Sequence, residues 1–200
     1  MPRAARYDRD AALDAAMTLF WDKGYHATSL KDLEATLNMK PGSIYAAFDS
    51  KEHLYLLALE RYFEQSRAGF RAMMLRARSP LTGLASHFRS YAQLAPKDKA
   101  RQACMLTKTL IDTRTTEPAI VEKARDYMQA MQQEFSACFS RAITQGELAG
   151  TADPNRLARR FQANIAALRL ELAWGAVADH VLTLAEDMAI EIEALRTTEN

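Results

Sequence analysis

A chain of 200 residues, 48% hydrophobic and 26% charged, has the composition of a soluble globular protein and enough apolar content for a core in one or two domains. Its formal charge of +1 excludes a protein that coats nucleic acid by charge alone, so any DNA contact must be local. Two cysteines, Cys104 and Cys138, are too few and too far apart for a disulfide scaffold or a zinc site, and no apolar run reaches signal-peptide length or the roughly 18 residues of a membrane span, so a cytoplasmic protein without a membrane partner is expected.

Glycine and proline are scarce, at 7 and 6 residues, and the composition favours helix over sheet. Over residues 8–23, Leu13, Ala16, Met17 and Phe20 share one face, and Gly24 stops the helix. Ser29 with Asp32 forms a capping-box pattern that opens a second helix, with Leu30, Leu33 and Leu37 inside. Pro41 sits where a short third helix should start, with Ile44 and Phe48 as its apolar face. Asp49 with Glu52 repeats the capping pattern, and Leu54, Leu57, Ala58 and Leu59 begin a long fourth helix. Five more helices are predicted near residues 80–95, 98–114, 118–147, 154–176 and 179–196. No window alternates with period two over a strand's length, so the fold class is all-α, with about nine helices.

Residues 28–51 read TSLKDLEATLNMKPGSIYAAFDSK. Two short helices joined by about four residues, the second only about seven long, suit a helix-turn-helix. Asn38 in the turn accepts left-handed backbone better than most residues. Met39 and Ile44 would pack inward, leaving Lys40, Ser43, Tyr45, Ala46 and Ala47 on the outer surface. A helix this short, with small outward residues, fits a major groove. An ordinary helical turn in a bundle is the alternative that spacing alone leaves open.

With its aromatic-plus-glycine end of helix one (Phe20, Gly24, Tyr25), its Thr28-Ser29 pair, its Asn38-Met39 turn, the run Gly42 to Phe48, and Lys51 with Leu54, the segment resembles the tetracycline-repressor (TetR) family of bacterial regulators over roughly residues 8–60. The rest of the chain resembles it in length, helix count and the join at 146–154. The resemblance implies a helix-turn-helix DNA-binding domain over residues 1–50 and a helical ligand-binding and dimerisation domain over 51–200. It also implies that Tyr45, Lys51 and Thr28, with Ser29 beside it, meet backbone phosphates. Lys40, Pro41, Gly42 and Ser43 would lead the recognition helix into the groove, and Ser43 and Ala46 would touch base edges. For Tyr45 the alternative is a half-buried anchor, and for Lys51 a solvated cation. Glu34 departs from the family, standing where a small residue is usual, and Lys40-Pro41 stand where a cation and a hydroxyl cap are frequent. The first 60 residues hold seven Lys/Arg against nine Asp/Glu, but the acids of helix one lie away from the expected DNA face, and Arg3 and Arg6 form a short basic arm.

Beyond residue 52 there is no glycine-rich phosphate loop, zinc-protease pair or nucleophile elbow, so no enzyme, metal or cofactor is expected. His26, His53, His87 and His180 are dispersed and read as surface or structural residues. Within a longer series of aromatic and methionine side chains, Phe70, Met74, Phe88, Tyr91, Met105, Tyr127, Met131 and Phe135 are either plain core or the lining of a chamber for a small-molecule effector. Lys108 could hold an anionic ligand or lie on a helix surface. Cys104 is a further candidate for the same chamber, and it and Cys138 are either thiol sensors or small apolar residues. Phe161, Ile165, Leu168 and Leu172, followed by Val177, Val181, Leu184, Met188 and Ile192, read as a homodimer seam. Together these features predict a repressor released from palindromic, double-stranded operator DNA by a small molecule. The rivals are a helical scaffold whose motif does not bind DNA and a helical enzyme, and activation in place of repression is open.

Overall fold

A computed structural model describes residues 8–94, 103–113 and 117–197. They contain nine α-helices and no strand. The expected arm with Arg3 and Arg6, and the first residues of the helix predicted from 98, lie outside the described residues. Two compact units are present, one drawn from Met1–Glu64 and Met105–Arg125, the other from Gln65–Cys104 and Asp126–Asn200. The first therefore runs past the expected boundary at residue 50 and takes in a later stretch of chain.

In the first unit, α1 (Arg9–Lys23) starts at Asp8, whose carboxylate accepts the amides of Asp10 and Ala11 at 3.1 and 3.2 Å. Two of the four amides that a helix start leaves unpaired are thereby satisfied. The helix ends at Gly24, where φ is +84° and a residue without Cβ is favoured. The capping box at Ser29 and Asp32 opens α2 (Leu30–Leu37), and Asn38 closes it in left-handed backbone at φ +50°. Pro41 takes the first position of α3 (Pro41–Phe48), which buries Ile44 and Phe48. The cap of α4 (Lys51–Arg76) is one residue later than expected. Ser50 Oγ accepts the amide of His53 at 3.0 Å, whereas Asp49 ends α3 at φ +63° and holds His53 Nδ1 at 3.0 Å. Phe20 and Tyr25 meet Tyr55 edge-to-face at 4.8 and 5.0 Å, a favourable geometry for aromatic quadrupoles. The later stretch is α6 (Met105–Asp112) and the start of α7 (Pro118–Thr144).

The second unit packs the end of α4, α5 (Pro80–Tyr91), the remainder of α7, α8 (Pro154–Trp174) and α9 (Ala178–Glu193) around Phe70, Leu84, Phe88, Phe135, Phe139 and Phe161. The residues expected to form a dimer seam are mostly spent here. Phe161, Ile165, Leu168, Leu172, Val181 and Ile192 are buried in this core, and Leu184 and Met188 pack against it. Only Val177 of that set is exposed. The apolar side chains that α8, α9 and the turn between them show to solvent are instead Leu170, Trp174, Val177, Leu182 and Ile190, with Trp174 73% exposed. Helical periodicity marks an apolar face, and on these helices the strongest stripe belongs to the chain's own core.

Arg89 ties α5 to α9 through Glu186 at 2.7 Å and Glu193 at 2.8 Å. Hydrogen bonds from Arg89 hold both carboxyls below their ordinary value of 4.5. Carboxyls shifted down on folding add stability above the unfolded pKa, and that stability is lost as pH falls through the folded one. Lowering the pH from about 6 to about 3.5 is expected to depress the wild-type Tm, followed by circular dichroism, further than that of Arg89→Leu. Equal losses would mean that the tie contributes nothing.

Candidate nucleic-acid interface

Burial of Ile44 and Phe48 orients α3 and leaves its opposite side outward. Lys40, Gly42, Ser43 and Ala46 are exposed, Pro41 is partly so, and Tyr45 is 43% exposed. Lys40 precedes the helix in extended backbone with no side-chain cap, so its ammonium is not spent on α3. Pro41 has no N–H, which makes Gly42 the first amide of the helix. A Cβ built on Gly42 would meet nothing within 4 Å. Among the described residues no packing calls for glycine there, although glycine weakens a helix relative to alanine.

The residues flanking this face are arranged differently from expectation. Thr28 is fully buried, and its hydroxyl donates to the Gly24 carbonyl at 2.7 Å, so its side chain has no access to an outside phosphate. The Ser29 hydroxyl donates to Asp32 Oδ2 at 2.7 Å and accepts the Asp32 amide at 3.1 Å. The Asp32 carboxylate also takes the Ser29 amide at 2.9 Å and Lys23 Nζ at 2.6 Å, and these bonds hold it well below the usual carboxylate range. The start of α2 thus carries its own anion, because the capping box that signals the helix consumes the amides a phosphate would need. Lys51 is half-buried with Nζ 4.5 Å from the centroid of the Tyr25 ring, and burial lowers its pKa. It is an ammonium held on an aromatic face, neither freely solvated nor buried outright.

The acidic count is largely answered by pairing. Arg61 on α4 bonds Asp10 at 2.6 Å and lies 3.6 Å from Asp14, and Asp8 serves as a cap. Glu34 is partly buried, and its carbonyl accepts the amides of Asn38 and Met39 in the turn. Between α1 and the turn lies an open cleft of about 570 Å³, bordered by Ala11, Ala15, Asn38, Met39 and Lys40.

The end of α1 depends on α6. Lys108 Nζ donates to the carbonyls of Trp21 and Asp22 at 2.5 and 2.9 Å, and Asp112 Oδ2 accepts the amides of Tyr25 and His26 at 3.1 and 3.4 Å. Between them on α6, Thr109 Oγ1 lies 2.7 Å from the Tyr55 hydroxyl, and burial pushes that phenol up to about 12. Lys108, expected as a ligand-binding candidate, here places a cation at the negative end of a helix and satisfies its last carbonyls. Met105 is buried in the same unit. Spacing carried no sign of this clamp, because its partners are more than eighty positions apart.

Of the remaining chamber residues, Phe70, Phe88, Tyr91 and Phe135 meet in the second unit's core with Met74 and Met131 against them, Tyr127 is buried, and Cys104 is partly buried. Burial pushes the Cys138 thiol up and Arg141 bonds its sulfur at 3.1 Å, the setting of an inert thiol. Phe161 belongs to the same core, and His87 and Arg169, both partly buried, lie against its rings. His87 shares the helical face of Leu84, Phe88 and Tyr91, a signal hidden when histidines are searched only for metal-ligand spacing. Removing the Asp112 carboxylate with Asp112→Ala is expected to cost about 1 kcal/mol in urea denaturation. The neighbouring Ile111→Ala, at a side chain 76% exposed, should stay within about 0.5 kcal/mol. Equal effects would mean that the clamp holds nothing.

Residues 12–58 match the family model described as bacterial regulatory proteins, tetR family, and residues 80–192 match the tetracyclin repressor-like C-terminal domain. The chain is 30% identical to the HTH-type transcriptional repressor ComR of Escherichia coli over 182 residues, 90% of this chain and 86% of that protein. Its fold superposes on a TetR-family transcriptional regulator from Cytophaga hutchinsonii with TM-score 0.86 and 19% identity, covering 98% of this chain and 100% of that one. A cysteine mutant of the TetR-family regulator CifR, complexed with 26-bp double-strand operator DNA, gives TM-score 0.83 at 27% identity over 94% of this chain and 98% of that one.

Proposed function

The chain belongs to the TetR family of bacterial regulatory proteins, and from that premise we propose that it is a dimeric repressor that leaves a palindromic operator when a small molecule binds its second unit. The observation that carries the reading is the outer face of α3, where Lys40, Gly42, Ser43, Tyr45 and Ala46 stand clear of the core. Lys40 and the Tyr45 hydroxyl meet phosphates, Ser43 and Ala46 meet base edges, and Lys51 adds charge beside them. Gly42 lets the backbone of the first turn approach the DNA closely, which accounts for a glycine that packing does not require. ComR, a repressor by name, and CifR, seen on operator DNA, support the same reading for this chain.

Leu170, Trp174, Val177, Leu182 and Ile190 form the surface that a second copy covers, since an exposed apolar stripe of this kind is a recognition surface. A two-fold dimer presents two copies of α3 to two half-sites, hence the palindrome. Both α4 and α7 contribute residues to both units, so a ligand that repacks the second unit has a covalent route to the first. Release then equals the ligand's differential affinity for the two arrangements.

Fluorescence anisotropy with DNA from the region upstream of the protein's own gene tests the assignment. Tyr45→Phe combined with Lys51→Ala should weaken binding, and Lys51→Ala alone should lower the salt slope by about one per protomer. An unchanged slope would remove Lys51 from the phosphate contacts. Gly42→Ala should separate the two demands on α3, stabilising the folded chain by about 0.5 kcal/mol while weakening DNA binding. Unchanged affinity in that variant would sink the close-approach role.

A further inference from the structure

His87 on α5 sits among aromatic rings from four helices. Its centroid lies 5.1 Å from Phe70, 5.2 Å from Tyr91, 6.2 Å from Phe135 and 5.9 Å from Phe161. Its Nε2 is 3.3 Å from the Tyr91 hydroxyl, while Nδ1 is buried with no hydrogen-bond partner. Leaving a buried polar atom unpaired is unfavourable, and an apolar side chain at this position would avoid that. Burial, with the positive charge of Arg169 nearby, lowers the imidazole pKa to about 3, so the ring is neutral and carries one hydrogen.

Tyr91 decides where that hydrogen sits. The Arg169 guanidinium lies 5.1 Å from the centroid of the Tyr91 ring, so its positive charge stands beside this pair. With Tyr91 donating to Nε2, the tautomer that the test below reads, Nδ1 keeps the hydrogen as a buried donor without an acceptor. A positive charge beside a donor in apolar surroundings favours an anionic oxygen. Rings held edge-to-face, as Phe70 and Phe135 are at 5.0 Å, favour a flat aromatic body. Met74 and Met131, partly buried against this core, are unbranched and can repack to admit one.

We propose that His87 is the recognition point of the effector and that the effector is a small aromatic carboxylate, its oxygen accepting from Nδ1 near Arg169 and its ring lying among Phe70, Phe135 and Phe161. The assignment of this ligand as the effector rests on the repressor reading above; the binding site itself does not.

The test is nitrogen-15 NMR of histidine-labelled full-length protein titrated with benzoate, phenylacetate and cinnamate, with toluene as the apolar control. The free protein should show His87 as the neutral tautomer protonated at Nδ1, and at least one carboxylate should shift that nitrogen saturably. His87→Phe should weaken that probe by about tenfold or more, and His87→Asn, which restores an N–H donor near the position of Nδ1, should recover part of the loss. The proposal fails if no carboxylate moves the His87 nitrogens up to about 10 mM, if toluene binds as well, or if His87→Phe binds the carboxylate unchanged. The wild-type titration decides the matter even where the phenylalanine variant does not fold. Operator anisotropy with the same probes separates the two readings. A carboxylate that binds at His87 and leaves DNA affinity intact overturns its role as effector. A chain that binds no DNA at all overturns the repressor reading and leaves the NMR result standing.

Discussion

The last turn of a helix leaves carbonyls without partners, and the chain leaving it must place its own amides. At the end of α1 both needs are met from one helix, with Lys108 taking the carbonyls of Trp21 and Asp22 and Asp112 taking the amides of Tyr25 and His26. Everything that follows in the chain up to α3 starts from that point. Gly24 turns there, Thr28 bonds back to it, and Ser29 opens α2 from the position so defined. The helix-turn-helix is thus not closed by its own sixty residues: α6, contributed from beyond residue 104, is part of it.

That arrangement allows α3 to be plain. An eight-residue helix with two buried side chains has little stability of its own, so its geometry comes from burying Ile44 and Phe48 in the first unit, where Leu33, Phe20 and Tyr55 are also buried. With position supplied from behind, the outer face is free to carry a lysine, a glycine, a serine and an alanine, none of which the fold requires. The same logic explains why acidic residues on α1 are compatible with an anionic partner, since Arg61 and the helix start engage them.

The second unit balances in another way. Its core is aromatic and closely packed, yet it encloses a neutral imidazole with an unused nitrogen and places a guanidinium over a neighbouring ring. At its edge, Arg89 gathers two carboxylates of α9. The edge network is partly exposed, whereas the interior group is a polar site held within an apolar frame, where small changes in packing carry the largest electrostatic consequences.

Helix positions, the capping box, the left-handed Asn38 and the proline start of α3 were legible in the sequence because each depends on neighbours within a few residues, where backbone sterics and local hydrogen bonds dominate. The family was legible for the same reason, since its motif lies within one continuous run. What the linear order could not contain was the identity of partners distant along the chain. It offered Lys108 as a chamber residue and Thr28 as a phosphate ligand without showing that Lys108 bonds the end of α1, that Thr28 bonds Gly24, or that the strongest apolar stripe of α8 and α9 is buried within the chain's own core. Each was a residue of suitable chemistry whose partner only packing could choose. A side chain buries or bonds according to which surface arrives beside it, and that is decided when the helices assemble, not along the chain that encodes them.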